Sequence, residues 1–238
     1  MDDRQSFVAI SGGTKGIGRA TAALFAEKGW QVAVCARHQD DLAAMQQHWA
    51  LHYPSSHLYT HVTDLSTPEG CYSWAQTLQH NLPPLDALVL NAGTFAPGTL
   101  MEGNDQQLQD FLSLNLMAPH YLTREVSSQW RQQKRAGHLV TISSIAATDW
   151  PEMMTAYALS KYALEGWHEA VSRELQPHGI RTTLIRPGGT YTSSWDGVDV
   201  DPATLLSPEQ VAQWVWQAVA LANTQAIEHI TLRPTIHP

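Results

Sequence analysis

A doubly wound α/β architecture, one parallel sheet of about seven strands with helices on both faces, is what this sequence predicts. Three observations lead there. Short β-branched or aliphatic runs alternate with helical patterns along the whole chain. The first such run opens directly into a glycine-rich turn and then a helix, the order in which a nucleotide is cradled on a parallel sheet. Finally, no repeat, linker or low-complexity segment interrupts the 238 residues, so residues 1–238 are expected to form one domain.

Phe7 to Ser11 is the first strand, followed by the turn Ser11 to Gly18 and a helix whose apolar Ala22, Leu24, Phe25 and Ala26 share a face and which Gly29 closes. Gln31 to Ala36 is the second strand, with Asp40 and Asp41 as cap and first turn of the helix after it. Leu58 to Val62 makes the third, and Thr67-Pro68-Glu69 has the cap, proline and acid that start a helix. Leu85 to Leu90 is the fourth strand. From Asn104 to Gln133 the pattern is mainly helical, a short helix and then a long one, with Pro119 marking a break or a start. His138 to Ile142 gives a fifth strand, residues from Thr155 to Gln176 a helix, and Arg181 to Arg186 a sixth strand. Ser207-Pro208-Glu209 opens the last helix, and Ile227 to Leu232 is the seventh strand.

Charge narrows the partners. A net charge of −8 and a pI near 5.8 argue against nucleic acid or an anionic membrane. The acidic N-terminus lacks a secretory signal and no apolar run is long enough to span a bilayer, so a soluble cytoplasmic protein is expected. Cys35 and Cys71, without CxxC spacing, read as buried or inert thiols. His48 and His52 stand in an HxxxH pair, but no carboxylate or cysteine completes a set nearby, and no metal site is expected.

The chemistry gathers around His138–Lys161. Ser143 and Ser144 end a strand, and Tyr157 and Lys161 stand four residues apart, on one face of the following helix. A phenol is a weak acid and base at neutral pH; an ammonium beside it favours the phenolate and moves its pKa towards the working range. A serine hydroxyl from the strand end could hold the same substrate oxygen. In the glycine turn, Gly12, Gly16 and Gly18 let the backbone approach a diphosphate at a helix N-terminus. Where an acidic side chain at the end of the second strand would bind ribose hydroxyls, this chain has Arg37. With Lys15 it offers two cations to a 2′-phosphate, which predicts NADP(H) over NAD(H).

Together these residues resemble the short-chain dehydrogenase/reductase family over essentially the whole length. The glycine motif is matched by Ser11 to Gly18, including Thr14, Lys15 and Ile17, with Ser in place of the leading Thr. The family's adenine-binding Asp is matched by Asp64, next to Leu65, and its Asn-Asn-Ala-Gly by Leu90-Asn91-Ala92-Gly93 with the first Asn replaced. The helix Asn is similar to Asn115, and the serine thirteen residues before the Tyr selects Ser144. Pro187, Gly188 and Thr192 match the segment at the nicotinamide.

The resemblance implies a Rossmann-like domain that moves hydride between nicotinamide C4 and a carbonyl carbon. It makes Tyr157 the proton donor, Ser144 the group that holds the substrate oxygen, and Lys161 the residue that lowers the phenol's pKa and binds the nicotinamide ribose. Asn115 would position a relay water, Thr190 and Thr192 would sit at the carboxamide, and a homodimer or homotetramer would form through the long helices. For the substrate, the segment Thr190 to Leu206 reads as a lid with Tyr191, Trp195, Asp196, Asp199 and Asp201, and Trp150, Met153 and Met154 as a facing wall. An apolar pocket under an acidic lid favours a small ketone, aldehyde or hydroxy acid over a 3-oxoacyl thioester. A cofactor-binding regulator without chemistry is the reading of another class; the presence of both Tyr157 and Lys161 argues against it.

Overall fold

The structure, a computed structural model, describes residues 5–80, 82–195, 197–221 and 225–235. Its described strands are β1 (Phe7–Ser11), β2 (Gln31–Ala36), β3 (Leu58–Val62), β4 (Ala87–Leu90), β5 (His138–Ile142), β6 (Arg181–Pro187) and β7 (His229–Leu232). They form one sheet in the order β3-β2-β1-β4-β5-β6-β7, every pair parallel. This is the predicted class. The ends of β4 and β7 are shorter than the apolar pattern suggested: Leu85 and Ile227 pack as core or flanking residues before the ladder begins.

The helices are α1 (Gly16–Glu27), α2 (Gln39–His52), α3 (Pro68–His80), α4 (Asp105–Leu112), α5 (Ala118–Gln132), α6 (Ala146–Asp149), α7 (Thr155–Leu175) and α8 (Pro208–Ala220). Strand side chains alternate between the faces. Val8, Ile10, Val34, Val89, Val140 and Ile185 pack in one core with α1, α2 and α8. Phe7, Ala9, Leu88, Leu90 and Leu139 pack in the other with α3 and α5. A trio of edge-on rings, Phe25, Trp30 and Trp216, closes the first core with centroids 5.1–6.0 Å apart.

Caps fall where the sequence placed them. Ser207 and Gln210 form a full capping box on α8, and Thr67 Oγ1 accepts from Gly70 N at 3.1 Å on α3. At α2 the N-cap is His38, with Asp40 and Asp41 both inside the first turn. The break before Pro119 is a π-helical turn, Ser113–Met117, that joins α4 to α5 without a gap. Strand order reverses between β1 and β4, so the helices after these two strands leave on opposite faces and open a cleft at the C-terminal edge.

Candidate active site

The turn after β1 is built by close backbone approach. Gly12 and Gly16 hold φ of +67° and +51°, and a Cβ on Gly18 would lie 2.2 Å from the Gly12 carbonyl and 2.5 Å from Asn91 Nδ2. The Ser that replaces the expected Thr supports the neighbouring loop. Ser11 Oγ accepts from the backbone N–H of both Asn91 and Ala92 at 2.9 Å, while Asn91 Nδ2 donates to the carbonyls of Ser11 and Gly12 at 3.0 Å. Leu90, in place of the family's first Asn, is simply core.

Those contacts weld β1 to β4 at the cleft floor and leave the N-terminus of α1 without a side-chain cap. Its free N–H groups and positive dipole end fit the diphosphate of a dinucleotide. Arg37 is exposed at the end of β2. Lys15, expected beside it as a second phosphate ligand, pairs at the surface with Asp41 at 3.0 Å, a carboxylate that the first turn of α2 offers across the gap. Asp64 is exposed at the end of β3, and its Oδ1 accepts from Ser66 N at 2.9 Å; the Leu65 side chain turns down into the core.

At the other end of the cleft, β5 and α7 bring the catalytic candidates together. The Ser144 hydroxyl stands near enough to the Tyr157 phenol to favour its charged form, and its Oγ accepts from Ala146 N at 3.1 Å. Lys161 is buried; its Nζ lies 5.9 Å from the Tyr157 ring centroid and donates to the Ile142 carbonyl at 3.1 Å. Burial lowers the ammonium to about 8, opposed by the charge of Glu165. The phenol departs from expectation: burial raises its pKa, and the Ser144 hydroxyl opposes that rise. Lys161 stands over the ring with its ammonium hydrogen-bonded to a carbonyl, so desolvation of the phenolate dominates and the phenol is held in its protonated form.

Asn115, in the π-helical turn, is fully buried. Its Oδ1 accepts from Thr94 N at 2.9 Å, and its Nδ2 donates to the Thr94 carbonyl at 3.1 Å and Ser160 Oγ at 3.0 Å. Both amide protons are thus used in tying the loop after β4 to α7. Gly93 sits against this side chain: a Cβ there would lie 3.1 Å from Asn115 Oδ1 and 3.6 Å from Lys161 Nζ.

The segment after β6 is folded tightly. Ile145 N donates to the Pro187 carbonyl, Gly188 N to the Leu232 carbonyl, and the buried Thr190 gives its hydroxyl to the Gly188 carbonyl. Thr192 leans on the glycine turn, its Cγ2 2.9 Å from where a Gly16 Cβ would be. The proposed pocket residues divide. Met154 is bridged to Gly98 beside Tyr157, and Trp195 donates its indole N–H to the Thr190 carbonyl at 3.0 Å. Trp150 instead packs on Tyr162, centroids 5.3 Å apart, on an exposed face of α7. Tyr191 is turned outward by the Tyr191 N to Leu206 carbonyl bond and lines a groove of about 500 Å³ with Arg19, His48, Trp49 and Glu209. Asp196 lies outside the described residues.

The sequence reasoning missed Phe95 and Phe111, whose rings meet Tyr157 edge-on with centroids 5.0 and 6.1 Å away. The apolar pattern of α4 signals Phe111; nothing local signals Phe95. Among the described residues no three metal-ligating side chains gather, and no helix is long and apolar enough to cross a membrane.

Residues 6–202 match the short chain dehydrogenase family. The chain belongs to the short-chain dehydrogenase/reductase family. As a member of it, the protein is an oxidoreductase. Similar proteins include dehydrogenase/reductase SDR family member 7B of Xenopus tropicalis, 28% identical over 98% of this chain and 83% of that one. Another is sepiapterin reductase of Chlorobaculum tepidum, 28% identical over 95% of each chain. Among solved structures, a metagenomic short-chain oxidoreductase in complex with NADP is 26% identical, covers 97% of both chains and superposes with a TM-score of 0.83. The alcohol dehydrogenase from the archaeon Thermococcus sibiricus shares the fold at a TM-score of 0.90, 20% identity and 99% coverage of both chains.

Proposed function

We propose that this protein is a single-domain, NADP(H)-dependent reductase of small carbonyl compounds, working through Tyr157, Ser144 and Lys161. The observation that supports it most is the Tyr157 phenol set between the rings of Phe95 and Phe111, with the buried Lys161 ammonium 5.9 Å from its ring centroid and the Ser144 hydroxyl nearby. NADP(H) is supported by Arg37 at the end of β2, the uncapped N-terminus of α1 and the NADP complex of the metagenomic relative.

When bound, the nicotinamide supplies or accepts hydride at its C4. Tyr157 donates its proton to the carbonyl oxygen, and Ser144 Oγ holds that oxygen where alkoxide charge develops. Lys161 would bind the ribose and place positive charge beside the forming phenolate. Gly188, Thr190 and Thr192 would border the carboxamide, and Gly12, Thr14, Ile17, Gly18, Asn91, Ala92, Gly93, Asp64 and Pro187 would line the cofactor's path.

The apolar, aromatic surroundings of Tyr157 favour a small ketone, aldehyde or hydroxy acid, and the sepiapterin reductase relative is itself named for a carbonyl substrate. Assembly into a homodimer or homotetramer through α5 and α7 belongs to the same proposal, since Leu159 and Tyr162 are exposed on α7. The test is NADPH and NADH oxidation against simple ketones, aldehydes, 3-oxo acids and acetoacetyl thioesters, run with light scattering for the assembly. Turnover of small ketones with NADPH is expected. Preference for the thioester would move the substrate class, and no oxidation with any carbonyl would favour a cofactor-binding regulator.

A further inference from the structure

Beneath the catalytic candidates lies a largely buried ion pair, with Arg186 the more open partner, that the reaction as described does not use. Glu165 stands one turn after Lys161 on α7 and, like it, is buried. Its carboxylate accepts from Arg186 Nε at 2.8 and 2.9 Å, one bond to each oxygen, and from Ser143 Oγ at 2.8 Å. Arg186 is the residue before Pro187-Gly188 on β6, and Ser143 the one before Ser144 at the end of β5. One side chain therefore ties together the three elements that bring Ser144, Lys161 and the segment after β6 to the cleft.

A carboxylate is an expensive way to fasten an interior. Taking both charges of a pair out of water costs several kcal/mol per ion, and a well-packed apolar substitute is often as stable. Besides pairing with Arg186, the carboxylate lies four residues after Lys161 on the same face of α7, where its charge favours the ammonium. Lys161 is the other cation of this region, hydrogen-bonded to the Ile142 carbonyl with Tyr157 above it and Asn115 packed near Gly93. Without a counter-charge, desolvation alone would drive the ammonium towards its neutral form. His168, further along α7, shares a hydrogen bond with Thr141 and is held neutral by burial at about 4, so it supplies no competing charge at neutral pH. Arg186 is positive and works against Lys161, but its guanidinium is engaged by both Glu165 oxygens.

We propose that Glu165 is a positioning residue: held by Arg186 and Ser143, it keeps Lys161 charged and fixes the ends of β5, α7 and β6 relative to one another. This rests on the assignment of Tyr157 and Lys161 to the reaction, and the two are separable by experiment. The charge on Lys161 is followed directly, by NMR titration of protein carrying ¹³C,¹⁵N-lysine with Lys161→Arg used for assignment, and independently through the pH profile of kcat/KM for NADPH. In Glu165→Gln the Lys161 midpoint is expected to fall from about 8 by about 1 pH unit or more. In Glu165→Asp, which keeps the charge, it stays with the wild type.

Because Glu165→Gln leaves the partly buried Arg186 without its carboxylate, a folding loss is a hazard, and the double variant Glu165→Gln/Arg186→Met removes both charges. There the midpoint falls too, by less than in the single variant. An unchanged Lys161 midpoint in the double variant, or in a folded single variant, overturns the proposal. Tyr157→Phe, measured beside them, reports on the site assignment: turnover in Tyr157→Phe with a shifted midpoint in Glu165→Gln sinks the assignment and leaves the electrostatic coupling standing.

Discussion

Two loops reach the C-terminal edge of the sheet and are made in opposite ways. The turn after β1 uses glycines at positive φ, and its contacts are backbone to backbone or to the short side chains of Ser11 and Asn91. The loop after β5 puts ordinary side chains into the same strained region: Trp150 has φ of +50° and Met153 of +59°. Bulky residues in the left-handed region cost on the order of 1 kcal/mol or more each, and such strain collects at sites that need a fixed geometry. Here it is held by the Gly98 N to Met153 carbonyl bond at 2.6 Å and the bridge from Gly98 to Met154. The cofactor end is thus specified by what the backbone permits, and the substrate end by which side chains hold an unfavourable backbone in place.

The sharpest way to break this division is at Tyr157. If the phenol is the proton donor, Tyr157→Phe keeps the edge-on packing with Phe95 and Phe111 and loses only the hydroxyl. Turnover is expected to drop by about 10²–10⁴-fold, the usual worth of general acid catalysis. The dissociation constant of NADPH, followed by its fluorescence, should stay near the wild-type value, because the cofactor end is built elsewhere. A variant with wild-type kcat would remove Tyr157 from the chemistry.

Next in size is Arg37. It is exposed at the end of β2, and Lys15, its expected companion, shares its charge with Asp41 at the surface, so Arg37 is the cation to test first. A hydrogen bond to a charged group is worth about 1.5–3 kcal/mol, and Arg37→Asp adds repulsion. The ratio of kcat/KM for NADPH over NADH should fall by roughly 100-fold. An unchanged ratio would mean that the selectivity lies elsewhere.

How each end could be read from sequence follows from the same contrast. Glycine spacing, helix caps and the β-branched runs are local constraints, and the strands, the cradle and the β1–β4 junction were legible from them, down to Ser11 standing in for Thr. The pairing of Lys15 with Asp41 was not, since it depends on the angle at which α2 leaves β2. Trp150 and Tyr191 were placed in the pocket by proximity in sequence; in space Trp150 packs on Tyr162 and Tyr191 lines the outer groove. Phe95 carries no local signal because its contact with Tyr157 joins the loop after β4 to α7, 62 residues apart, a relation no periodicity records.

The pH dependence sharpens the picture of the buried ammonium. Lys161 in the free protein is lowered to about 8, and Tyr157 is raised above the usual phenol value. Below pH 8 the ammonium is present and the phenol protonated, the state that reduction needs. As pH rises through 8 the ammonium is lost first, so kcat/KM for NADPH in the reductive direction should fall by about tenfold per unit on that limb. A profile flat to pH 10 would show that Lys161 keeps its proton, or that the reaction does not require it.

The smallest effect separates functional strain from incidental strain. Lys134, just past the end of α5, also has a positive φ, +52°, but is exposed and far from Tyr157 in the fold. At that position glycine is the preferred residue. Lys134→Gly should raise stability by about 0.5–1 kcal/mol, or about 1–4 °C in Tm for a chain of this size, and leave kcat and KM unchanged. Met153→Gly removes the same kind of strain from the wall beside Tyr157, and its Tm should rise by a similar amount. The loop released there can wander, so KM for the carbonyl substrate should increase several-fold while NADPH binding stays as it was. Equal kinetics in the two variants would mean that the positive φ at Met153 serves only to turn the chain, and that the Phe95 and Phe111 rings alone define the substrate wall.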